Sequence, residues 1–185
     1  MATKTFRGDA VAVSDLWTIV LGGTVAIGNT VTVTIGAKSY TYTAATAVVA
    51  TEAAALVTAL QALSTTTYPE FSGLTWAYIS AGTLTATGTA GIPFGISVSK
   101  AQAGGATNLH TFTATNTTPA SGPNFLDTPA NWGGSIPSSS DTIIFENWSG
   151  DILYGLTGLA AIATATICTR ITASSTRSTR RSTST

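Results

Sequence analysis

The sequence predicts a mainly β fold with one helix, an α+β domain in which an antiparallel sheet or sandwich is packed by that helix. A short β-rich C-terminal extension follows. Three observations carry this. Several runs alternate apolar and hydroxyl residues with period two, as half-buried strands do. Only one run, residues 51–63, has helical spacing. Gly-centred dipeptides separate the strand runs at hairpin distances.

The elements follow in order. A first strand is expected at Trp17–Leu21, stopped by Gly22-Gly23. Thr30–Ile35 and Ser39–Thr43 form a hairpin about Gly36-Ala37, whose leading glycine suits a II′ turn. Val31, Val33 and Ile35 face the core and the threonines face out, because a β-branched hydroxyl fits the pleat and stays wet. The helix spans Thr51–Leu63, with Thr51 as its cap and Glu52 favoured by the dipole in the first turn. Leu56, Val57, Leu60 and Leu63 make its apolar stripe, and Ser64–Thr67 with Pro69 end it. Strands resume at Leu74–Ile79 and Thr83–Thr87 around Ala81-Gly82, then at Phe94–Ser99 and His110–Thr115. One helix covers one face of a sheet, so the sheet is antiparallel.

The domain spans residues 1–116. Residues 117–123, rich in Thr, Pro, Ser and Gly, read as a linker. Residues 124–169 form a short β extension, solenoid-like or an assembly segment, too small to bury a core alone. Its expected strands are Asp141–Glu146 and Asp151–Leu156. Residues 170–185 are a basic Ser/Thr/Arg tail, a solvated end in the plainer reading and a docking arm in the sharper one.

Composition bounds the function. Of 185 residues, 44% are hydrophobic and 9% charged, against a usual charged share of about 25%. Eight basic side chains balance eight acidic ones, which makes a poor nucleic-acid binder. Residues 1–169 carry four basic and eight acidic side chains, while the tail carries Arg170, Arg177, Arg180 and Arg181 and no acid. One His and one Cys exclude most metal sites built on those ligands and any disulfide within the chain. Cys168 as the single thiol fits a reducing cytoplasm. The N-terminus lacks the apolar run of a signal peptide, so the Asn116-Thr-Thr and Asn147-Trp-Ser sequons read as chance matches. Residues 152–168 are apolar but Thr/Gly/Ala-rich and about 17 long, marginal for a membrane span. No membrane or nucleic-acid partner is expected.

Catalytic constellations are missing. The single His110 lies in a Thr-rich strand and reads as half-buried, and Cys168 has no His near it in sequence. Asp127, Asp141, Glu146 and Asp151 are the carboxylates to test for glycoside hydrolysis. Asp141 and Glu146, five apart on one strand, point to opposite faces, and turn capping accounts better for Asp141 and Asp151. No phosphate loop is present, and the acids are too scattered for calcium. No enzyme activity, cofactor or metal is expected.

The aromatic residues are the binding candidates. Trp76 and Tyr78, two apart on one strand, read as a core pair. Trp132 and Trp148, beside turn residues, are candidate platforms for a sugar or a protein. Tyr154, Arg177, Arg180 and Arg181 complete the candidate interaction residues.

Two stretches carry a family resemblance. One runs from Thr5-Phe6-Arg7-Gly8-Asp9-Ala10 through the Gly28–Ala44 hairpin and the Ala-rich helix to Tyr68-Pro69-Glu70-Phe71 and Gly91–Val98. The other is Ala120–Asn124, Asn131-Trp132-Gly133-Gly134 and Asp151-Ile152-Leu153-Tyr154-Gly155-Leu156. Together, over about residues 5–156, they resemble tailed-bacteriophage virion proteins of the fibre, adhesin or decoration type, also met in prophages. The resemblance implies a structural protein of the virion, assembled in the host cytoplasm. Its partners would be copies of itself, other virion proteins and a host-surface glycan. It supplies no catalytic residue. The chain departs from the pattern after its Leu-Tyr-Gly-Leu run, where such proteins continue into a longer β-rich region. The ending reads as a truncation, a frame change or a replaced tail, and a receptor-binding tip would lie in the part replaced.

Overall fold

The computed structural model describes residues 2–104, 110–146 and 151–155, and the backbone of a strand at 164–168. Its elements are β1 (Thr3–Phe6), β2 (Ser14–Gly23), β3 (Thr30–Ile35), β4 (Lys38–Thr43), α1 (Val49–Gln61), α2 (Pro69–Ser72) and β5 (Thr75–Ser80). Then come β6 (Thr83–Ala90), β7 (Ile96–Ala101), β8 (His110–Thr118), a 3-10 turn (Pro129–Trp132), β9 (Thr142–Glu146) and β10 (Thr164–Cys168). The protein is mainly β, with a single long helix among the described residues and antiparallel sheets packed together. No helix among the described residues is long and apolar enough to cross a membrane.

The first unit holds two antiparallel sheets, β5-β6-β2-β8 and β4-β3-β7. Alternation sends Ile19, Leu21, Leu84 and Phe112 of one sheet and Val31, Val33, Ile35 and Ile96 of the other into one core. Ala53, Leu56, Val57 and Leu60 of α1 pack into the same core. The hairpin about Gly36-Ala37 forms as expected, with Gly36 at φ +57. At the second hairpin Ala81 and Gly82 both have positive φ, the demand of a I′ turn. The expected strand at 17–21 extends to Ser14–Gly23, and the strand at 110–115 continues to Thr118.

The helix begins two residues earlier than expected, and Thr51 does not cap it. The N-cap is Val48, with no side-chain hydrogen bond. Glu52 is also more than a dipole partner: it is buried on the apolar stripe, four residues before Leu56. Its carboxylate reaches back to the loop ahead of the helix. It accepts from Thr46 N–H (2.6 Å), Thr46 Oγ1 (2.6 Å), Ala45 N–H (3.1 Å) and the Tyr42 hydroxyl (2.7 Å). One buried anion thus ties β4, the loop and α1 together.

The C-terminal unit is where the expected domain boundary moves. Its sheet is parallel, in the order β1-β9-β10. Thr3, Thr142 and Thr164 share one row of the ladder, and Phe6, Phe145 and Ile167 another. The first strand of the chain therefore belongs with the last two. A second core of Phe6, Leu126, Trp132 and Ile143 forms beneath the ladder, with Phe145 and Ile152 packed against it. The antiparallel unit is an insertion between neighbouring strands of a parallel ladder. A short β extension that cannot bury a core alone completes it by recruiting residues 3–6.

Residues 117–123 do not form a loose linker. Val13 and Ser121 pair in an antiparallel bridge, so the outgoing and returning chains lie together between the units. Buried Asp15 accepts from Phe94 N–H (2.9 Å), the Asn116 amide (2.7 Å) and Ala120 N–H (3.2 Å). Buried Asn131 accepts from Ala10 N–H (2.8 Å) and donates to the carbonyls of Gly122 (2.9 Å) and Phe125 (2.7 Å). Residues 151–155 are not the expected strand. They make one parallel bridge, Phe125 with Tyr154.

Candidate interaction surfaces and the cleft between the units

Inward pointing of the core residues fixes what faces outward. On β4-β3-β7 the outer rows are Thr43–Thr30–Ala101, Thr41–Thr32–Ser99 and Ser39–Thr34–Ser97. On the larger sheet they include Ala77–Thr85–Thr18–Thr115 and Thr83–Val20–Thr113. None of these positions carries a charge. The hydroxyls pair across strands: Thr32 with Thr41 (2.9 Å), Thr34 with Ser39 (2.8 Å) and Thr18 with Thr117 (3.2 Å). A hydroxyl already paired loses less when water leaves than an unpaired one does.

A cleft of about 830 Å3 lies where the two units meet. Asp15 and Asn116 line it from the antiparallel unit, with Pro93 and Phe94. Asp127, Thr128, Phe125 and Tyr154 line it from the other side. The Tyr154 ring lies 4.7 Å from that of buried Phe125, tilted by 37°. Gly155, at φ +74, lets the Asp127 carboxylate lie close: a Cβ there would stand 2.2 Å from Asp127 Oδ1. Asn116 Oδ1 is buried without a partner among the described residues. Among the described residues, no Lys, Arg or His lines the cleft.

The candidate residues fall in different places. Trp132 is a core residue and offers no stacking face, being 4% exposed. Its indole N–H donates to Leu126 O (2.6 Å), and its ring meets Phe6 edge-on at 5.0 Å. A turn position did not keep it exposed because Phe6, from the far end of the chain, covers it. Tyr154 is half-buried on the cleft wall. Trp148, Arg177, Arg180 and Arg181 lie outside the described residues. The expected core pair divides. Trp76 is buried, stacks on Phe71 at 6.1 Å and donates to Phe71 O, while Tyr78 is exposed at the end of an edge strand. A bulge between Tyr78 and Ser80 ends the regular pairing there.

The titratable groups act in structure. Asp141 caps a turn as expected, accepting from Ser138 N–H (3.0 Å) and Ser138 Oγ (2.9 Å), and also from Ala2 N–H (2.9 Å). The backbone donors Ser138 and Ala2 hold its carboxyl down to about 2. Burial pushes the Tyr42 hydroxyl up to about 12, reinforced by its hydrogen bond to Glu52. Burial works against the Glu52 anion, but the donors from Thr46, Tyr42 and Ala45 outweigh it and lower the pKa. His110 is fully buried, deeper than expected, with Nδ1 3.1 Å from the Asn29 amide nitrogen. Its carbonyl accepts from the Lys100 ammonium. No group of three or more His, Cys, Asp or Glu among the described residues is placed to hold a metal ion.

Sequence reasoning missed Asp15 and Asn131, which join the units, and Asp127 as a cleft residue. For Asp15 a signal existed: an acid stands near the head of a strand that carries no other charge. For Asn131 there was none, since its partners are backbone groups, one of them Ala10 at the other end of the described chain. No protein-family model matches this chain, and no curated protein matches it.

Proposed function

We propose that this chain is a non-enzymatic structural protein of a bacteriophage virion, a capsid decoration or a tail or head fibre component. It works through contacts with copies of itself and with other virion proteins. The observation that carries this reading is the pair of uncharged sheet faces, on which Thr32–Thr41, Thr34–Ser39 and Thr18–Thr117 pair their hydroxyls across strands. Such a face meets a second uncharged surface with little like-charge repulsion and a small desolvation penalty. The sheets are also open, and each offers edge strands to a neighbour among the described residues. The resemblance of residues 5–156 to phage virion proteins supports the same class. The test places a lysine at the centre of each face, Thr32→Lys and Thr85→Lys. Folded variants that lose the wild-type assembly support the reading. An assembly indifferent to both refutes it.

A further inference from the structure

We propose that the cleft between the two units is a binding site for a neutral saccharide. Its lining decides the ligand class. Among the described residues the wall has no Lys, Arg or His to compensate a phosphate or a carboxylate, which favours a neutral or cationic ligand. Asp15 already takes three hydrogen bonds and is 1% exposed, which leaves Asp127 as the one exposed carboxylate. A single accessible anion is thin provision for a cation. The hydroxyls of Ser121, Thr128 and Tyr154 can both donate and accept, as a polyol requires.

The apolar part fits the same class. A pyranose presents C–H groups on its faces and hydroxyls at its rim. The Tyr154 ring, backed by Phe125, supplies an aromatic surface, and Pro93 and Phe94 line the wall from the opposite unit. Asp127 stands beside Tyr154 because Gly155 has no side chain to displace it. The volume, about 830 Å3, is within the usual range for small-ligand sites and admits a disaccharide. This site is separate from the sheet faces, so it does not depend on the assembly reading.

The test is amide-shift NMR on the full chain titrated with maltose, lactose and N,N′-diacetylchitobiose, with agmatine as the cationic probe. The expected result is saturable shifts at Ser121, Thr128 and Tyr154 with a millimolar Kd for at least one sugar. Tyr154→Ala weakens that binding by about tenfold or more, corresponding to about 1.4 kcal/mol. Asp127→Asn, an exposed and nearly isosteric change, weakens it without touching the core and serves if Tyr154→Ala fails to fold. Three results overturn the proposal: no shift with any of the sugars, shifts unchanged in the folded variants, or saturation of the cleft by agmatine alone.

Discussion

Thr3 stands directly opposite Thr142 in a parallel ladder, although nearly the whole described chain lies between them. The antiparallel unit therefore leaves the ladder after β1 and returns to it before β9. Two buried side chains, Asp15 and Asn131, hold the outgoing and returning segments together. The arrangement places a cleft at the junction, apart from the two hydroxyl faces of the inserted unit.

Asn131 is predicted to be the most sensitive polar residue. Asn131→Ala leaves Ala10 N–H without its acceptor and the carbonyls of Gly122 and Phe125 without their donor. Each orphaned buried group costs roughly 1–3 kcal/mol. Urea unfolding should show a loss of about 3 kcal/mol or more. A loss below about 1 kcal/mol would mean that the junction is not cooperative with the cores.

Asp141 closes the ladder at its N-terminal end by accepting Ala2 N–H. In Asp141→Ala, amide exchange in residues 3–6 should rise while that of 53–60 in α1 stays unchanged. Because the folded-state pKa is depressed, this contribution is full above the ordinary value of 3.8 and disappears as pH falls through about 2. Equal acceleration in both segments would contradict the assignment.

Glu52 and Tyr42 set opposite limits on pH stability. The depressed Glu52 pKa gives stability that is full above 4.5 and lost as pH falls through the lower folded value. The raised Tyr42 pKa gives stability that is full below 10 and lost as pH rises through about 12. Glu52→Gln should remove the acid limb of a stability–pH curve, and Tyr42→Phe the alkaline limb. Curves parallel to wild type at both ends would remove the pair from the account.

Gly82 should tolerate no side chain. Its φ is +92, and a Cβ would stand 2.2 Å from Leu21 O and 2.6 Å from Val49 Cγ1. Gly82→Ala should cost about 2 kcal/mol or more, because a neighbouring backbone must move. Gly36→Ala, with open space around it, should cost about 1 kcal/mol from its φ alone. Equal Tm losses would contradict this contrast.

Local pattern made most of the inserted unit legible. Val31, Val33 and Ile35 alternate with threonines, the glycine turns sit where the hairpins close, and the Leu56–Val57–Leu60 stripe marks α1. What pattern missed was non-local. β1 has four residues, and nothing in Thr-Lys-Thr-Phe says that its partner is Thr142–Phe145. Trp132 sits in a turn-rich run, and its burial depends on Phe6. Glu52 looked like a dipole partner because its acceptor role depends on a loop that folds back over the helix start. Tyr154 was a candidate in the sequence, but the cleft whose wall it lines is built from both units.

The role proposed for the uncharged sheet faces is assembly with further copies of the chain. Light scattering on the full chain across a range of concentrations tests it most directly. The account predicts a defined multimer that Thr32→Lys or Thr85→Lys reduces to a folded monomer. A monodisperse monomer at every concentration would contradict it.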